Sequence, residues 1–180
     1  MFYTVKELIE QSHAFPSVAA LMVHTEVENS TRTEAQVRHL MSRNLEVMER
    51  SVKEGIAGVK SVTGLTGGEA KKLDAYVTSG QFMSGKPIME AVRNAVAVNE
   101  VNAKMGLICA TPTAGSAGVL AGVLLAMRDR LHLSHDQQLD FLFTAGAFGL
   151  VIPIMRELQV QKAAAKRKSV LRVQWRQLRW

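Results

Sequence analysis

Residues 33–58 read TEAQVRHLMSRNLEVMERSVKEGIAG, and this stretch decides the fold class. Thr33 followed three positions later by Gln36 is the pattern in which two side chains satisfy the free amides of a helix start. Val37, Leu40, Met41, Leu45, Met48 and Val52 then recur at three- and four-residue steps, so one side of that helix is apolar. Gly55 and Gly58 are expected to end it. The same reading predicts a helix from Glu69 to Thr78, stopped by Ser79-Gly80. Another opens at Pro87, since a proline suits a first helical position. Its apolar side is read as Ile88, Val92, Ala95 and Val96, with Asn99 and Asn102 on the same face. Ser134, with Gln137 three residues on, is expected to cap a further helix. No alternating strand pattern of useful length and no repeat is present. The predicted architecture is all-α: an irregular helical domain with Gly-rich loops between helices.

A length of 180 residues suits one domain with a real core. Hydrophobic content of 47% beside 21% charged residues excludes global disorder. A single cysteine excludes a disulfide framework and a four-cysteine metal site within one copy of the chain. Phe2 is not followed by a basic, apolar, small-residue leader, so the expected location is the cytoplasm. The net charge of +6 suggests nucleic-acid binding only until it is localised. Eight of the 22 basic residues, but only one acid, Glu157, fall in residues 153–180, together with Trp175 and Trp180. Residues 1–152 are near-neutral. The expected division is a body over 1–152 and a basic tail over 153–180, the tail having good helix propensity of its own.

The Gly-rich stretches lie between the predicted helices. They are Thr63-Gly64-Leu65-Thr66-Gly67-Gly68 and Thr111-Pro112-Thr113-Ala114-Gly115-Ser116-Ala117-Gly118. A loop that leads into a helix can aim amides and the positive helix end at a small carboxylate or phosphate. Ordinary interhelical turns are the alternative, and the pattern alone leaves both open. Neither stretch is a Walker loop, and neither contains GxGxxG. Met105 to Met127 carries no charge over 23 residues, long enough for a bilayer span. Pro112 and the turn around Gly115 interrupt it, so it is read as a loop plus a core helix. His132 and His135 lack a nearby third ligand and are read as a solvated turn. Cys109, in an apolar run, is read as an inert buried thiol. Asn99 and Asn102 are either satisfied amides or pocket liners.

Three strings together resemble the alpha chain of the iron–sulfur-dependent L-serine dehydratases. They are Thr63-Gly64-Leu65-Thr66-Gly67-Gly68-Glu69-Ala70; Asn99-Glu100-Val101-Asn102-Ala103 running on to Ile108-Cys109-Ala110-Thr111-Pro112-Thr113-Ala114-Gly115-Ser116-Ala117-Gly118-Val119; and Phe141-Leu142-Phe143-Thr144-Ala145-Gly146-Ala147-Phe148-Gly149. Glu69 departs mildly, since the family usually has Asp there. The resemblance implies an L-serine ammonia-lyase of amino-acid catabolism, which supplies pyruvate to gluconeogenesis. It implies a [4Fe-4S] cluster that acts as a Lewis acid on the serine hydroxyl. It also implies a beta chain as partner, or a homo-oligomer, with no nucleic acid and no membrane. Thr111, Pro112, Thr113, Gly115, Ser116 and Gly118 carry over as the loop that holds the substrate carboxylate. Thr63, Gly64, Thr66, Gly67 and Gly68 form a second wall, and Asn99 and Asn102 are polar liners. No general base is identified.

The resemblance stops at Pro153, where the family continues into a Gly-Gly-Cys-Gln-Ala-Glu motif. Written as codons with free third bases and one base restored ahead of Pro153, the tail reads into that same motif without a stop. The expectation is therefore a one-base deletion after Ile152, with 153–180 as out-of-frame product. One cysteine cannot hold a cluster, and Cys109 is not expected to be a ligand. The chain alone is expected to bind no cluster and to be inactive. The other readings are a non-catalytic binder of small carboxylates and a basic-tailed protein for nucleic acid or anionic surfaces.

Overall fold

The computed structural model describes residues 2–152, and these form helices and loops with no strand. The elements are α1 (Val5–Ser12), α2 (Val18–Glu28), α3 (Glu34–Ala57), α4 (Glu69–Ser79), α5 (Lys86–Ala103), α6 (Ala117–Arg128) and α7 (135–152). The all-α class is as expected. The predicted basic tail lies outside the described residues.

The helix starts follow the capping residues. At α3, Gln36 Oε1 accepts from the Thr33 amide at 2.9 Å, and the Gln36 amide donates to Thr33 Oγ1 at 3.3 Å. Ser134 and Gln137 repeat the arrangement at α7, at 3.3 and 2.8 Å. Thr4 Oγ1 caps α1 by accepting from the Glu7 amide and Ser17 Oγ caps α2 by accepting from the Ala20 amide, without the reciprocal bond. Neither of these two helices was anticipated. In α2, Ala19, Leu21, Met22, Val23 and Thr25 are all buried, so the helix shows no apolar stripe to detect.

Two expectations are corrected. Gly55 does not end α3, which runs on to Ala57 and stops at Gly58 with φ 103°. A Cβ at Gly55 would strike the backbone of Ala97, so this glycine permits close contact between α3 and α5. The apolar side of α5 is also rotated from the one predicted. Its buried residues are Asn94, Ala97, Val98, Glu100 and Val101, whereas Ile88 and Val92 are exposed. The predicted side held β-branched residues, yet bulk does not decide which face is covered. On α5 that is set by where neighbouring backbones approach.

α5 is the central post. α6 lies antiparallel on one flank: Gly118 meets Ala95, and Gly122 meets Ala91 one turn away, each too close for a Cβ. α3 meets α5 at Ala97. α4 is tied by Arg93, whose guanidinium bonds Asp74 at 2.8 Å while its other nitrogens hold Asn94. α7 closes the core from the far side with Leu139, Leu142, Phe143, Ala147 and Val151, which pack with residues of α1, α2, α3 and α6. Arg38 on α3 bonds Asp140 at 3.3 Å and fixes the start of α7.

The close α5–α6 contact gives a direct test. Gly122→Leu is expected to lower stability by about 1–3 kcal/mol through overpacking. Gly146→Ala, on the exposed side of α7 with open space around it, is expected to raise it by about 0.5–1 kcal/mol. Urea denaturation midpoints measure both. An unchanged midpoint for Gly122→Leu would contradict the packing.

Candidate functional site

The loop from Cys109 to Ser116 is braced by its own hydroxyls. Ser116 Oγ donates to the Thr111 carbonyl at 2.9 Å. It accepts from the Thr113 amide at 3.2 Å and lies 2.8 Å from Thr113 Oγ1. The Ser116 amide donates to Thr113 Oγ1 at 3.2 Å. These bonds are mutually consistent when Thr113 Oγ1 donates to Ser116 Oγ. Each hydroxyl then has one donor and at least one acceptor role filled. The loop is held in one shape where α6 begins, and its exposed turn includes Thr113 and Gly115. Thr111 Oγ1 is buried and has no hydrogen-bond partner. Gly118 stands within α6, where it serves the contact with Ala95.

The second Gly-rich stretch is a tight turn. The Ser61 amide donates to the Thr66 carbonyl at 2.8 Å, and the Thr66 amide donates to Ser61 Oγ at 3.2 Å. Gly67 has φ 132°, and a Cβ there would meet Val59 and Lys60, so the turn requires glycine. Thr63 and Thr66 are exposed, as is Gly64. The turn delivers the chain to α4 through Gly68, whose φ is 92° and which has no side chain to cap the helix.

Glu100 supplies that cap from another helix. It is only 5% exposed. Its Oε1 accepts from the Glu69 amide at 2.6 Å and the Ala70 amide at 3.2 Å. Oε2 is buried without a hydrogen-bond partner. Burial pushes the Glu100 carboxyl above its ordinary pKa, and the neighbouring Glu69 carboxyl adds to this. Glu100 in turn, with the Gly67 amide at 2.8 Å, holds Glu69 below its ordinary range. Sequence reasoning did not single out Glu100. The available signal was an acid flanked by Val98 and Val101 on a helix opposite a glycine-started helix.

The α4 start that follows the Thr63–Gly68 turn is tied to Glu100 on α5, and α6, which follows the 109–116 loop, packs on α5 at Ala95 and Ala91. Asn102 continues the row of Ala91 and Ala95, the side against which α6 packs, at the end where α6 begins. Asn102 is half-buried, and Asn99 beside that row is exposed. Glu100 faces α4 on the other flank. The arrangement can present a carboxylate with helix-start amides, hydroxyls and side-chain amides. On the opposite side of the 109–116 loop is a largely apolar groove of about 660 Å³. Cys109 lines it and is half-buried rather than fully buried as expected, and partial burial raises its thiol pKa. None of the Thr63–Gly68 residues, Asn99 or Asn102 borders this groove. His135 Nε2 lies 3.1 Å from Ser42 Oγ. Among the described residues no group of three His, Cys, Asp or Glu can hold a metal ion. Among them, too, no helix is long and apolar enough to cross a membrane.

Glu100→Gln tests the buried carboxyl. A raised folded-state pKa makes the neutral form the stabilising one, so that contribution is present below the ordinary value of 4.5 and is lost as pH rises through the raised value. The Gln variant keeps the acceptor for the α4 amides. Its stability is expected to match the parent at low pH and to exceed it by a gap that widens as pH rises from the ordinary value through the raised one and then levels off, read from denaturation midpoints across pH. A gap that narrows with rising pH would contradict the assignment.

Comparison with known proteins places these features in a family. The serine dehydratase alpha chain profile matches residues 15–157. A probable L-serine dehydratase alpha chain of Bacillus subtilis (strain 168) is 51% identical over 153 residues, covering 84% of this chain and 51% of that protein. A probable L-serine dehydratase alpha chain of Latilactobacillus sakei is 60% identical over 65 residues, covering 36% and 31%. The L-serine dehydratase alpha chain of Peptoniphilus asaccharolyticus is 29% identical over 155 residues, covering 84% and 53%. The chain therefore spans about half the length of the longer-matching relatives. No solved structure matches it.

Proposed function

The chain belongs to the serine dehydratase alpha chain family, and on that premise we propose that residues 1–152 are the substrate-carboxylate half of an L-serine ammonia-lyase, which converts L-serine to pyruvate and ammonia. The observation that supports this is the Thr113–Ser116 brace at the start of α6. The positive end of α6 is suited to the serine carboxylate. Because the Thr113 and Ser116 hydroxyls and amides are engaged within the loop, and the Ala117 and Val119 amides bond the Ala114 and Ser116 carbonyls, these groups act by fixing the loop, and the Ala114 and Gly115 amides of its exposed turn carry the binding. The Thr63–Gly68 turn and Asn99 complete the polar surroundings.

The residues present do not fit an iron–sulfur cluster. Such a cluster is held by several thiolates, and the chain has one cysteine, Cys109, which is half-buried with a raised pKa. No step is derived through that group. The cysteines and the general base belong to the remainder of a full-length chain or to a beta-chain partner. Residues 153–180 are the product of a displaced reading frame, which accounts for their concentration of basic charge. The family match ends at residue 157, close to the proposed junction at Ile152. On this reading the protein is cytoplasmic, its ligand is L-serine, and neither nucleic acid nor membrane is a partner.

The 180-residue chain is expected to release no pyruvate from L-serine after anaerobic iron and sulfide treatment. The product of a gene with one base restored before codon 153 is expected to gain cluster absorbance and turnover. In that enzyme, Ser116→Ala is expected to raise KM for L-serine severalfold with a smaller effect on kcat. Turnover by the 180-residue chain would refute the account of the tail. Serine binding without turnover in both proteins would favour a non-catalytic carboxylate binder.

A further inference from the structure

The apolar groove beside the substrate loop is not explained by serine. Its volume is about 660 Å³, and Met41, Met48, Leu120, Leu142, Phe148 and Ile152 are among the residues that line it. A serine zwitterion has no apolar group to fill such a space. Phe148, Leu150 and Ile152 remain 38%, 43% and 60% exposed on α7, three apolar side chains within five residues. Val119 on α6 joins them at 65% exposed. An apolar strip of this kind marks a surface that another segment covers.

Two facts identify the segment. Ile152, the last described residue, is itself a wall of the groove. The relatives of similar sequence carry about as much chain again as this one matches. We propose that the groove between α3, α6 and α7 is the seat of the second half of a full-length alpha chain, which inserts apolar side chains there. Thr111, Pro112 and Ser116 form one edge of the same groove. The inserted segment therefore touches the back of the substrate loop and couples the two halves of the site. This inference rests on the proposed dehydratase reading for its link to substrate, but on the groove alone for its occupant.

Cys109 lines the groove and is the chain's single cysteine, so its alkylation, followed peptide by peptide in a mass spectrometer, reports cover. The comparison is between the 180-residue chain and a fusion of residues 1–152 to the second half of the Bacillus subtilis relative. Alkylation is expected to be at least tenfold slower in the fusion, and Phe148→Glu in the fusion is expected to restore the fast rate. A cooperative melt of each protein confirms folding. Equal rates in the two folded proteins overturn the proposal. So does slow alkylation in the 180-residue chain, whether at all concentrations, which assigns the cover to residues 153–180, or only at high concentration, which assigns it to a second copy. Pyruvate release separates the two readings. A protected but inactive fusion sinks the dehydratase reading and leaves the groove assignment standing. An active fusion with unprotected Cys109 does the reverse.

Discussion

Backbone contact with α5 is the constraint on which the other elements depend. Gly55, Gly118 and Gly122 bring α3 and α6 so close that a single added carbon would meet Ala97, Ala95 or Ala91. At that separation the helices cannot slide or rotate independently, because there is no side-chain layer to repack. Their starting and ending points are therefore fixed relative to α5. The functional loops are the segments at those points. The 109–116 loop, at the head of a twelve-residue helix, inherits its position from two glycines in that helix, Gly118 and Gly122.

The loops themselves are held by complementary means. The 109–116 loop uses reciprocal hydroxyl and amide bonds within four residues, which are local and readable in principle. The 61–68 turn uses glycine conformations and a carboxylate borrowed from α5. That carboxylate carries the greater liability. Glu100 leaves one oxygen buried without a partner, and its carboxyl pKa is raised by burial. It has the compensating effect of tying the α4 start, α5 and the turn into one unit. The paired behaviour of Glu100 and Glu69 follows from two acids facing the same helix start, where one favours the proton and the other the charge.

The charge of +6 first suggests a nucleic-acid ligand, yet it resides in residues that differ in composition from the rest. What the body offers instead is a polar site at the α5 end and an apolar groove behind it. These two surfaces share the 109–116 loop as a common wall. The loop hydroxyls of Thr113 and Ser116 are bonded to each other, while apolar side chains such as Phe148 and Ile152 stay exposed.

Sequence by itself determined the helical class, the capped starts at Thr33 and Ser134, and the two glycine-bearing loops. It did so because capping and turn formation act over three or four residues. Helix α2 was not legible, since burial on several sides erases the periodicity that marks a surface helix. Nor was the true covered face of α5: Ile88 and Val92 resemble core residues, while Asn94 and Glu100 do not. Only the tertiary structure decided that Gly55 is a contact and not a stop, and that Glu100 caps a helix 31 residues earlier in the chain. These depend on which backbones approach one another, and no local pattern of residue types encodes a partner so distant in the chain.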